Sequence, residues 1–211
     1  LSFEEAAAVS VNYSTAWRAM TKSVQVSKGD TVLIAGATGS VGHAALQLSL
    51  ALGATPIALV STHEKADFAR AAGAKEVLVL SEEQDLPAAI KKLTGGKGAD
   101  YGFDPVGGGL TTALMQCLAF RGTLVSLGFA GGKQLVIEAF DIIAQEKQLK
   151  GYSLHAEKDE DMPDVLKELM KLAAEGKVRP VIDSSYSLEQ VDEGYARLSS
   201  RKAMGSIVLT F

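Results

Sequence analysis

Gly36-Ala37-Thr38-Gly39-Ser40-Val41-Gly42 constrains this chain more than any other stretch, because of what stands on either side of it. Before it, residues 31–35 are an apolar run rich in branched side chains, which reads as a strand. After it, Val41, Ala45, Leu48 and Leu52 recur on one helical face until Gly53 stops the helix. In such a strand, turn and helix, the first glycine turns the chain sharply, the second lets backbone approach a pyrophosphate, and the third lets the helix pack on the sheet. The helix N-terminus then offers free N–H groups and a partial positive charge to phosphates. A bound dinucleotide is the reading these residues favour over a purely structural turn.

Further runs repeat the alternation. Residues 55–60, 76–80, 100–104, 123–128 and 149–154 read as short strands, separated by helices over residues 64–72, 86–93, 110–120 and 138–147. This predicts an α/β fold, a Rossmann-type doubly wound parallel sheet. Pro56, near the start of the second strand, is tolerable only where that strand end needs no N–H. Residues 161–175 and 188–199 read as amphipathic helices, and residues 207–210 as an isolated strand that must pair with something. The dinucleotide-binding domain is expected to span residues 1–177, with a helical lead over residues 1–20. Residues 178–211 are set apart as a C-terminal tail.

The far end of the second strand bears on which dinucleotide is held. A site for NADH places a carboxylate there to bind the ribose 2′-hydroxyl. Here the residues are Val60-Ser61-Thr62-His63-Glu64-Lys65. Ser61 can donate to a 2′-phosphate and Lys65 can neutralise it, so NADPH is the expected cofactor. A compatible structural role makes Ser61 the cap of the next helix, with Glu64 completing a capping box and Lys65 solvated.

Composition removes several alternatives. A net charge of −4 with no basic stripe gives no reason to expect nucleic acid. No apolar run approaches the roughly 20 residues that cross a bilayer, so no membrane span is expected. The single cysteine, Cys117, forms no internal disulfide and suits a reducing cytoplasm. Residues 1–8 lack the pattern of a signal peptide, and an opening Leu reads as part of something longer. His43, His63 and His155 are far apart in sequence with no cysteine near them, so no metal site is expected.

Five segments carry a family resemblance: Asn12-Tyr13-Ser14-Thr15-Ala16-Trp17, the glycine turn with His43, Phe103-Asp104-Pro105-Val106-Gly107-Gly108, Gly128-Phe129-Ala130-Gly131-Gly132, and the ending from Arg201 to Thr210. The chain resembles the zinc-independent quinone oxidoreductase branch of the medium-chain dehydrogenase/reductases. That resemblance implies an NADPH-dependent enzyme, usually a homodimer, which reduces quinones or double bonds conjugated to a carbonyl. To the glycine turn (Gly36, Thr38, Gly39, Ser40, Val41, Gly42), Ser61 and Lys65 read above, it adds Thr15, Asp104, Val106, Gly107, Gly128, Phe129 and Ala130 as cofactor-site residues. Phe129 read without it is a core residue, and Asp104 a strand-end turn with Pro105. Relatives that use zinc have a cysteine ligand where this chain has Val11, which cannot ligate a metal.

Other departures concern the phosphate end and the missing part. Leu80 stands where many relatives have an aromatic or His, and Ser206 where a Lys or Arg often follows the glycine. The resemblance also implies a barrel-like substrate domain of roughly a hundred residues before Leu1, of which residues 178–211 would be a C-terminal remnant and without which catalysis would be weak or nil. Asn12 and Tyr13 are the one polar pair it brings toward the nicotinamide, and no catalytic residue is assigned. It further implies a dimer through the edge strand 149–154. Two rival readings are an enoyl-thioester reductase module of a polyketide or fatty-acid synthase and a non-catalytic NADPH-binding protein.

Overall fold

The computed structural model describes residues 1–211 apart from the side chain of Asp159. The chain enters through a helical lead: α1 (Phe3–Ala8), a π turn (Val9–Tyr13), α2 (Ser14–Arg18) and a second π turn (Ala19–Ser23). Then follow β1 (Thr31–Ala35), α3 (Ser40–Ala51), β2 (Thr55–Val60), α4 (His63–Ala71), β3 (Glu76–Val79), α5 (Leu86–Leu93), β4 (Ala99–Asp104), α6 (Gly109–Cys117), β5 (Leu118–Ser126), α7 (Ala139–Ile143) and β6 (Gln148–Gly151). The strands form one parallel sheet in the order β3-β2-β1-β4-β5-β6. The order reverses between β1 and β4, which opens a crevice at the carboxyl ends of those strands.

Burial on both faces explains why β1 reads as an unbroken apolar run. Val32 and Ile34 join one core cluster with residues of the lead, α3 and α4, while Leu33 and Ala35 join a second with α5 and α6. Each fully buried Leu or Ile contributes about 1.5–3 kcal/mol of transfer free energy. Pro56 lies opposite Val32, but pairing with β3 begins only at Ile57, so its missing N–H leaves no gap on that side.

Differences from the sequence expectation cluster in the second half. Residues 110–120 are not all helix: α6 stops at Cys117 and β5 starts at Leu118, kinked where Arg121 takes φ 63°. The helix expected over 138–147 ends at Ile143, because Lys147 is drawn inside. Its ammonium donates to the Met115 carbonyl (2.8 Å) and the Asp141 carboxylate (2.6 Å), all buried, so it satisfies the end of α6 rather than extending α7. The strand expected over 149–154 is β6, Gln148–Gly151, and Leu154–Ala156 is already a 3-10 turn.

Beyond β6 the chain forms α8 (Met162–Ala174), β7 (Ile182–Ser187), a 3-10 turn (Leu188–Gln190), α9 (Val191–Ser199) and β8 (Ser206–Thr210). β8, expected as a strand lacking a nearby partner, pairs in parallel with β7. β7 escapes a pattern reading because Asp183, Ser184 and Ser185 sit at its centre and no alternation is visible. Among the described residues, no helix is long and apolar enough to cross a membrane.

Candidate functional site

The glycine turn is built from backbone. Gly36 takes φ 55°, in the left-handed region that glycine favours, and a Cβ on Gly42 would sit 2.1 Å from the Gly36 carbonyl oxygen. Both are required by the protein itself. Gly39 is different. It is the N-cap of α3 with φ −74°, and a Cβ there would meet only the Gly36 oxygen at 3.5 Å, an ordinary contact. Nothing in the chain's own packing asks for glycine at that position. No side chain caps α3, and the N–H groups of Ser40, Val41 and Gly42 have no acceptor among the described residues. Thr38 is buried, and its carbonyl accepts from Gly205 N at 2.8 Å, where Gly39 and Gly205 form a parallel bridge.

At the carboxyl end of β4 the Asp104 carboxylate is fully buried. Oδ1 accepts from the N–H groups of Val106 and Gly107 (both 2.9 Å), and Oδ2 accepts from the Thr111 hydroxyl (2.6 Å). The carboxylate therefore acts on the loop it starts. That loop packs backbone to backbone on the one after β5: Gly131 N donates to the Val106 carbonyl (2.7 Å), and a Cβ on Gly128 would lie 2.4 Å from the Pro105 oxygen. Val106 also reaches the phosphate turn, its Cγ2 3.1 Å from where a Gly36 Cβ would stand. Phe129, a core residue on pattern alone, is 69% exposed beside Ala130.

At the end of β2 the capping arrangement differs from the one read in the sequence. Thr62, not Ser61, caps α4 and accepts from Lys65 N, which leaves the exposed Ser61 free of that duty. Lys65 is not simply solvated. Its ammonium donates to the Arg201 carbonyl at 2.6 Å, and its pKa lies below the ordinary lysine value through burial and then the nearby Arg197. Arg201 reaches from there toward the Ala130 carbonyl (Nη2–O 3.4 Å). Sequence reading missed Arg201, which stands beside Lys202 in a turn far from every other site residue; the signal available was this basic pair just before the Gly205 that meets the phosphate turn.

Thus the ends of β1, β2, β4 and β5 converge with the 201–205 turn around one crevice. Thr15 is not joined to them by any recorded bond; it is half-buried on α2, which packs against α3 and α8. The neighbouring polar pair is committed elsewhere, with Asn12 Nδ2 donating to the Ser206 hydroxyl (3.2 Å) and Tyr13 OH to Gln47 Oε1 (2.7 Å). Gln47 Oε1 also accepts from Arg179 N (2.9 Å), which fixes the amide so that its NH2 faces His43 Nε2 (3.1 Å). His43 is therefore neutral with its proton on Nδ1, and burial pushes its pKa down to about 4. Among the described residues no three His, Cys, Asp or Glu side chains group as a metal site would need.

The sequence and the fold both have counterparts among known proteins. The zinc-binding dehydrogenase family matches residues 40–175. The quinone oxidoreductase of Pseudomonas aeruginosa is 32% identical over 99% of this chain and 65% of that protein. The highly reducing polyketide synthase ZEA2 of Gibberella zeae is 31% identical over 100% of this chain and 9% of the synthase. The structure of Escherichia coli quinone oxidoreductase complexed with NADPH superposes with a TM-score of 0.92 at 30% identity, over 100% of this chain and 66% of that one. The chain spans 58–65% of the curated quinone oxidoreductase-type relatives it matches. With well over half its length matched by the family and its sheet order that of a doubly wound nucleotide fold, the chain belongs to the medium-chain dehydrogenase/reductase family and carries its nucleotide-binding domain.

Proposed function

We propose that this chain is the NADPH-holding part of an oxidoreductase that reduces a quinone or a double bond conjugated to a carbonyl. The observation that carries the cofactor reading is Gly39. It is a glycine with ordinary φ and open space, set before three N–H groups without acceptors, and a pyrophosphate fills that space while satisfying those donors. NADPH supplies a hydride to the substrate when bound. The chain's own part is to bind and orient. Ser40, Val41 and Gly42 donate to the pyrophosphate, and Ser61, Lys65 and Arg201 take the 2′-phosphate. Asp104 holds the Val106-Gly107 turn, and Gly128, Phe129, Ala130 and Thr15 serve the nicotinamide end. No carboxylate stands at the tip of β2 to select NADH. With Val11 at the family's ligand position, the chemistry is proposed to need no zinc.

A dimer belongs to the same reading. β6 pairs on one side only, with β5, and Phe140 and Ile143 lie exposed just before it. We place a two-fold contact there, over Gln148–Gly151 rather than the longer edge read from the sequence. A second reading, an enoyl-thioester reductase region of a synthase, is supported by the 31% identity to a polyketide synthase across the whole chain. Fluorescence titration with NADPH and NADH tests the cofactor reading: tighter NADPH supports it, and equal affinities or no binding overturn it. Sedimentation at micromolar concentration tests the dimer, which a monomer would overturn.

A further inference from the structure

Arg201 takes φ 59°, a left-handed conformation that a non-glycine residue keeps only where its surroundings impose it. The turn that holds it is braced by Asp183 on β7. Its Oδ1 accepts from the Met204 N–H (2.8 Å) and from Arg197 Nη2 (2.7 Å), while Oδ2 accepts from Arg197 Nε (2.9 Å). Arg197 Nη2 in turn lies 3.5 Å from the Lys202 carbonyl. One nearly buried carboxylate thus grips the turn from both sides of Arg201, through Met204 after it and through α9 before it. Lys65 is placed by the same turn, since its ammonium rests on the Arg201 carbonyl.

We infer that Asp183 is a specificity-determining positioning residue: by fixing the 201–204 turn it sets Arg201 and Lys65 for a ribose 2′-phosphate. The inference rests on the NADPH reading above. A count of charges predicts the opposite effect. Asp183 is an anion near Lys65, so deleting it ought to favour a phosphate if it acted through charge alone. If it acts by position, deleting it lets the turn relax and costs the phosphate its two cations.

The sign of one measurement separates these. NADPH and NADH are titrated by fluorescence against wild type and Asp183→Ala. Position predicts that NADPH binding weakens about tenfold, the scale of a hydrogen bond to a charged group, while NADH changes by less than about twofold. In a Lys65→Ala, Arg201→Ala background the same substitution is expected to cost nothing more. NADPH affinity that is unchanged or raised overturns the inference. Equal NADPH and NADH affinities in wild type instead remove the cofactor reading, and this inference with it. Asp183→Asn, which keeps the shape and one acceptor for Met204 N but loses the two-point pair with Arg197, carries the test if the alanine variant does not fold: a smaller loss of NADPH preference in the same direction is expected, and unchanged or raised NADPH affinity overturns the inference.

Discussion

The two ends of the crevice are made of different material. The glycine turn is contiguous, buried or half-buried, and written in backbone: Gly36 and Gly42 touch within the turn, and Val106 packs on it. The ribose end is assembled from side chains of two distant segments, with Ser61 and Lys65 beside β2 and Arg201 in the tail turn, all at the surface or half-buried. A site written in backbone tolerates almost no substitution and is shared by everything that uses the fold. A site written in exposed side chains can be edited one residue at a time, and the proposed choice of cofactor rests there.

Substitutions can break or sharpen that contrast. The largest effect is expected from Gly42→Ala, whose Cβ meets the Gly36 carbonyl; the chain should lose about 3 kcal/mol of stability, read by urea denaturation, and dinucleotide binding with it. An unchanged midpoint would show that the turn can move. Gly39→Val should leave melting nearly intact yet abolish binding of both cofactors, because its branches occupy only the space assigned to pyrophosphate. Retained binding would put the pyrophosphate elsewhere.

At the ribose end the expected changes are smaller and confined to NADPH. Lys65→Ala should remove about 1–3 kcal/mol of the preference over NADH. Because the Lys65 pKa is lowered, its charge is present below that pKa and lost above it; the preference should fade as pH rises, sooner than for an ordinary lysine. Lys65→Arg, charged throughout, should abolish that fading. Ser61→Ala should cost least, about 0.5–1.5 kcal/mol of NADPH affinity alone. An equal loss of NADH would place Ser61 outside the phosphate's reach.

The same contrast decides what the sequence made legible. β1, the glycine turn and α3 are adjacent along the chain, and their requirements for glycine and apolar residues are local, so they could be read directly. Thr62 rather than Ser61 as the cap of α4 was a one-residue error of the kind that only cap geometry resolves. The short α7 was invisible because its cause is a tertiary bond, Lys147 turning inward to α6. β7 hid behind its central polar residues. Arg201 was hidden twice, by its separation from Lys65 along the chain and by a backbone conformation that no residue preference at that position announces.

The bridge between Gly39 and Gly205 bears on how such a chain acquires its shape. The glycine turn is made before the residue whose N–H holds the Thr38 carbonyl, Gly205, which lies 167 residues further along the chain. Contacts so distant in sequence close slowly, since the chain's freedom must be surrendered before the bond rewards it. A nascent polypeptide therefore carries the glycine turn, while the intervening residues are made, without the tail that seals it.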